Sequence, residues 1–178
     1  MANLSPKSVL SKPASGRFIL LSLLIGLAAN LLPWNGLAKL LWPDFIGLLL
    51  VYWITYQPRR IGLGTAWFLG LLMDIADGVL FGQHALAYTL MAYLAQILHR
   101  RIQTLSPWQQ SLYVFGLLLI ALVIMLVIRL AFGAPFPGAL YFVSGVTSAV
   151  LWPSFSLLLR LPQHRKATLD DTYTKFHK

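Results

Sequence analysis

Six apolar runs divide the chain, at roughly 18–33, 44–57, 61–81, 84–99, 108–129 and 138–160. Each approaches the length of about 20 residues that carries a helix across a bilayer. Breakers and charges separate them: Pro33, Pro43 and Asp44, then Gln57-Pro58-Arg59-Arg60, then Asp77-Gly78 and Gly82, then His99-Arg100-Arg101, then Arg129, Gly133, Pro135 and Pro137. Ser106-Pro107 opens the fifth run, with Ser106 as N-cap, Pro107 as first helical residue and Gln109 completing a capping box. The second run is short. Pro43 to Gln57 spans roughly 22 Å as a helix, against about 30 Å of hydrocarbon, so either residues 37–42 complete the depth as a broken or re-entrant segment or the protein thins the bilayer locally, and the run is expected to pack tightly against its neighbours. The first run has the basic start of a signal peptide. Leu31-Leu32-Pro33-Trp34 carries it to an interface without a polar gap, and it is read as a retained helix.

Composition agrees with a lipid environment. The chain has 178 residues, 58% hydrophobic and 11% charged, whereas a soluble domain is about 25% charged. Six spans take up about 120 residues, which leaves no room for a second folded domain. The predicted organisation is a mobile basic tail over 1–17, a six-helix transmembrane domain over 18–160, and a second basic tail over 161–178. The net charge of +9 is not a nucleic-acid signature, because the basic residues flank apolar runs. Lys7, Lys12, Arg17, Arg59, Arg60, Arg100, Arg101, Arg160, Arg165, Lys166, Lys175 and Lys178 fall in one set of loops and tails, and only Lys39 and Arg129 in the other. The positive-inside rule then puts both termini in the cytoplasm.

The third run carries the most information. Gly62, Ala66, Gly70, Asp74, Gly78 and Gly82 recur every fourth residue and make a slowly winding ridge of small side chains. Such a ridge admits a second helix at close range, either from a partner protein or, more commonly, from the same chain. Asp74 interrupts it at membrane depth, where a charge costs on the order of 2.5–3.5 kcal/mol. It must be protonated, paired or facing a wet cavity. The alternatives are contact with a ligand or partner, an internal hydrogen bond, and an ion pair with Arg129. Asp77 is expected to help end the helix at Asp77-Gly78, and Asp44 to cap the second run. In the sixth run Gly145 and Ala149, beside Ser144 and Ser148, form another small-residue strip, and Trp152-Pro153 is expected to break the hydrogen-bond ladder and kink the helix. Asn30 suits a helix–helix hydrogen bond.

Catalytic chemistry is sparse. There is no Cys and no Glu, the five acidic residues are Asp44, Asp74, Asp77, Asp170 and Asp171, and the four His are scattered. No G-x-S-x-G, H-E-x-x-H or Walker-type loop occurs. Asp74 and Asp77 could in principle hold a divalent cation, but a pair is weak support. No catalytic residue, metal ligand or cofactor is assigned.

Several blocks, in order, resemble the rod shape-determining protein MreD family. They are Trp42-Pro43-Asp44-Phe45, residues 48–53, Pro58-Arg59-Arg60-Ile61-Gly62-Leu63-Gly64-Thr65, Gly70-Leu71-Leu72-Met73-Asp74 with Gly78, Gly82-Gln83-His84-Ala85-Leu86-Ala87, Ala92-Tyr93-Leu94, Trp108-Gln109-Gln110 and Val150-Leu151-Trp152-Pro153. The resemblance implies a multi-pass protein of the bacterial inner membrane. Its six-helix fold would be similar to the substrate-binding subunits of energy-coupling-factor transporters. It would act in cell elongation and peptidoglycan synthesis with MreC, the synthase of RodA and a class B penicillin-binding protein, and, directly or indirectly, MreB filaments. Membrane lipids complete the expected partners. The family is not known for enzymes, and no settled ligand site transfers. Two functions stand against each other: a non-enzymatic scaffold gripping partner helices through Gly62, Ala66, Gly70, Asp74, Gly78, Gly145, Ala149, Trp152 and Pro153, and a solute- or lipid-precursor-binding module with a cavity near Asp74.

Overall fold

The structure is a computed structural model that describes residues 14–176 apart from Trp34, Leu37, Lys39 and Leu40, with side chains through Leu161. Among the described residues it holds six α-helices and no strand. They are α1 (Gly16–Asn30), α2 (Phe45–Tyr56), α3 (Leu63–Asp77), α4 (Gln83–Thr104), α5 (Pro107–Ala131) and α6 (Val143–Phe176), the last preceded by a 3-10 turn over Ala139–Phe142. Each apolar run is therefore one helix. Residues 1–13 of the expected N-terminal tail, and Lys39, lie outside the described residues. The helical backbone of α6 continues through most of the segment read as a C-terminal tail.

Local chemistry sets the boundaries. α3 ends at Asp77 because Gly78 adopts the left-handed region at φ +60°, where a residue without Cβ is unstrained. The amide of Gly78 then reaches Ile75 O and that of Val79 reaches Asp74 O at 3.2 Å, closing the last turn. α5 starts with the expected capping box, the Ser106 amide donating to Gln109 Oε1 at 3.1 Å. Pro153 lies inside α6 and interrupts its amide ladder, as expected. α6 is one helix through this position, and Ser156 Oγ donates to the Pro153 carbonyl. The missing Pro153 amide removes a single ladder bond, and the helix runs on through it.

α2 is the centre of the bundle. It packs on α1, α4, α5 and α6, and Ile46, Leu48, Leu50, Val51, Trp53 and Ile54 have no accessible surface. A helix that is apolar all round must be surrounded. Its 12 residues reach about 18 Å and are enclosed by longer neighbours, while residues 37, 39 and 40 of the expected re-entrant supplement lie outside the described residues. α3 packs chiefly on α4, α4 also on α5, and α5 on α6.

The outside of the bundle is apolar as well. Ile25 on α1, Leu112 on α5 and Val150 on α6 are 61%, 72% and 70% exposed. A surface of this kind would associate in water and is at home in hydrocarbon. α5 and the stretch Ala139–Leu161 are each long and apolar enough to cross a bilayer, and α1 and α2 are shorter apolar helices.

Candidate functional site

In hydrocarbon every polar group needs an internal partner, so the candidate site is built from the buried polar side chains. They gather in two clusters, one at each end of the bundle.

The first cluster joins α3 to α4. Asp74 sits one turn before the end of α3, with 1% of its surface accessible. The chain reverses through Gly78 and Gly82, and this aims the N-terminus of α4 back at the carboxylate. Asp74 Oδ2 accepts from the Gly82 amide at 2.8 Å and the Ala85 amide at 3.4 Å. Oδ1 accepts from the His84 amide at 2.7 Å and faces His84 Nδ1 at 3.0 Å. These are the unpaired amides of a helix start, which carry partial positive charge. Asp74 is thus an N-cap supplied from a neighbouring helix. It answers the cost of burial without a cation, and Arg129 is not its partner. The imidazole of His84 lies between two carboxylates, its Nε2 facing Asp77 Oδ2 at 3.5 Å. Both ring nitrogens point away from each other, so Asp74, His84 and Asp77 do not converge on one point. Among the described residues no group of three His or Asp could hold a metal ion.

This arrangement requires Gly70. A Cβ there would lie 2.4 Å from Ala85 Cα and 2.6 Å from Ala85 N, closer than atoms approach. Ala66, one turn earlier, is fully buried, and at Gly62, the N-cap of α3, the nearest neighbour is the Gln96 side chain. The small-residue ridge is therefore seated against α4 of its own chain.

Adjacent to it, Asp44 collects four elements. It caps α2 through the Gly47 amide at 2.9 Å. It also accepts from Asn30 Nδ2 at 3.0 Å and from Tyr88 Oη at 2.8 Å, and its own amide donates to Ser148 Oγ at 2.9 Å. Asn30 Oδ1 in turn accepts from the Phe45 amide. The carboxylate of Asp44 clasps α1, α2 and α4, and its amide adds α6. Tyr88 meets His84 edge to face at 5.8 Å, which makes the two carboxylate sites continuous.

The second cluster centres on Gln110 of α5, which is 1% exposed. Its Nε2 donates to the Ile102 and Leu105 carbonyls at 3.0 and 3.1 Å. Its Oε1 accepts from Trp152 Nε1 at 3.1 Å and Tyr56 Oη at 3.3 Å. Arg160 donates to the same Tyr56 hydroxyl and lies over its ring. Trp152 is thus a buried strut of α6, with half-buried Pro153 beside it. Ala149 is buried and the Gly145 strip passes Leu122 of α5. Of the nine expected contact residues, Gly62, Gly70 and Asp74 meet α4, Gly145 meets α5, and Trp152 meets both α5 and α2.

Sequence reading passed over His84, Tyr88 and Gln110. The clue for Gln110 was its position on the buried stripe that Val114, Leu117, Leu118 and Ala121 continue.

A family model described as rod shape-determining protein MreD matches residues 14–161. The chain belongs to the MreD family. The matched span starts just before α1 and ends where the described side chains end, so it contains both polar clusters. A relative of the same name from Haemophilus influenzae is 28% identical over 142 residues, covering 80% of this chain and 88% of that one. No solved structure gives a significant match. MreD membership makes this a membrane protein of rod-shape determination, and the apolar exterior fits that setting.

Proposed function

We propose that this MreD-family chain is a non-enzymatic scaffold of the cell-elongation machinery. In this reading it spans the inner membrane several times with both termini in the cytoplasm. It binds MreC and helps position the peptidoglycan synthase of RodA and a class B penicillin-binding protein, with MreB filaments engaged indirectly. The observation that carries the proposal is the use of the polar groups inside the bundle, buried Asp74 and Gln110 and half-buried Asp44. Asp74, Asp44 and Gln110 are all occupied by partners within the bundle. A carboxylate has about four acceptor positions, and those of Asp74 face three amides and an imidazole. Such a group has no lone pair left for a solute, so the cavity reading loses its anchor. What the bundle offers its surroundings is surface.

Complementation tests the proposal. In a rod-shaped bacterium depleted of its own MreD-family protein, expression of this chain restores rod shape and normal width. Persistent round cells, with the chain present in the membrane at the level of the protein it replaces, would overturn the reading. So would product formation by the isolated chain from a peptidoglycan precursor.

A further inference from the structure

A groove of about 390 Å³ runs along the outside of the bundle between α4 and α5, lined by Leu94, Leu98, Leu112, Tyr113, Gly116 and Leu117. Gly116 opens it, for a Cβ at this position would meet nothing within 4 Å. At one end the groove meets a cation. The guanidinium of Arg101 lies 5.8 Å from the centroid of the Tyr113 ring, and Arg100 is exposed next to it. Two arginines of this end are engaged within the chain: Arg60 donates to the Ala14 carbonyl at 2.6 Å and Arg160 to Tyr56. Arg101, among the described residues, has the ring contact and no counter-ion.

The occupant must be apolar along the groove and anionic at the arginine end. A transmembrane helix fits poorly. Close helix approach uses small residues one turn apart, and the neighbours of Gly116 one turn away on either side are Leu112 and Ile120. A single-residue gap between large side chains suits a thinner object, an acyl chain. Basic sites between membrane helices also select anionic headgroups. We propose that the α4–α5 groove binds one anionic phospholipid, its acyl chain over Gly116 and its phosphate at Arg101. This rests on the chain being embedded in lipid and not on the scaffold role.

The test uses the full chain in mild detergent, with native mass spectrometry after addition of phosphatidylglycerol or phosphatidylcholine of the same acyl composition. Phosphatidylglycerol should be retained roughly fivefold better, the effect of about one basic residue at an anionic surface. Arg101→Gln should erase most of that preference and Arg101→Lys should keep it. Gly116→Phe, which fills open space and leaves the fold intact, should lower retention of both lipids. Equal retention of the two lipids by the native chain overturns the proposal. So does a loss of preference as large in Arg59→Gln as in Arg101→Gln, which would mean diffuse charge. So does unchanged lipid retention in Gly116→Phe with loss of a co-captured membrane protein, which would make the groove a helix-docking site.

Discussion

Asp74 holds His84 twice, accepting its backbone amide at 2.7 Å and facing its Nδ1 at 3.0 Å, both through the same carboxylate oxygen. A side chain on the last turn of one helix therefore fixes the first turn of the next. The charge that interrupts the small-residue ridge is the ridge's lock.

Asp74→Ala should destabilise the bundle by about 3 kcal/mol, because buried amides are left without an acceptor. Asp74→Asn keeps one oxygen and should cost less, about 1–2 kcal/mol. Heat-induced loss of the monodisperse species in detergent gives the ranking. Equal stability of all three proteins would remove the capping role.

Gly70→Ala forces α3 away from α4, since the new Cβ would sit 2.4 Å from Ala85 Cα. Overpacking against backbone costs about 3 kcal/mol or more, and poor recovery from the membrane is expected. Gly64 lies on the same helix with open space at its Cβ, so Gly64→Ala should stabilise by about 0.5 kcal/mol. Opposite signs at the two glycines are the readout.

Asn30 and Asp44 should behave as one unit. In a double-mutant cycle of Asn30→Ala and Asp44→Ala, a coupling of about 0.6–1.7 kcal/mol is expected, the range of hydrogen bonds between membrane helices. Additive effects would mean that the 3.0 Å contact contributes nothing.

Gln110→Leu breaks the contacts to Ile102, Leu105, Trp152 and Tyr56 together, whereas Trp152→Phe breaks one. The first should cost about 3 kcal/mol, with several polar groups left unpaired, and the second about half as much. Thermal unfolding of both variants checks the order.

Much of the fold could be read from the chain because apolar runs and breakers report directly on helices and turns. Asp77-Gly78 and Ser106-Pro107 are local signals, and both ended or began a helix as expected. The burial of α2 followed from its length alone. The partners of Asp74 could not be read in the same way. Its acceptors are satisfied by backbone amides, and amides carry no residue identity in a sequence. The proline signal, by contrast, is legible, for Pro153 removes one bond of the α6 ladder while the helix runs on. His84 stood beside Gly82 in plain view, but only the reversal of α3 onto α4 gives it Asp74 and Asp77 as neighbours.

The central claim is that this bundle uses its buried chemistry to hold itself and its surface to hold partners. Affinity capture of the full-length chain from rod-shaped cells, after cross-linking within the membrane, tests it most directly. The account predicts MreC as a reproducible partner in the captured material, including from cells carrying Asp77→Asn, which alters the half-exposed carboxylate and leaves the Asp74 cap in place. Capture of the intact, membrane-inserted chain without MreC would contradict it.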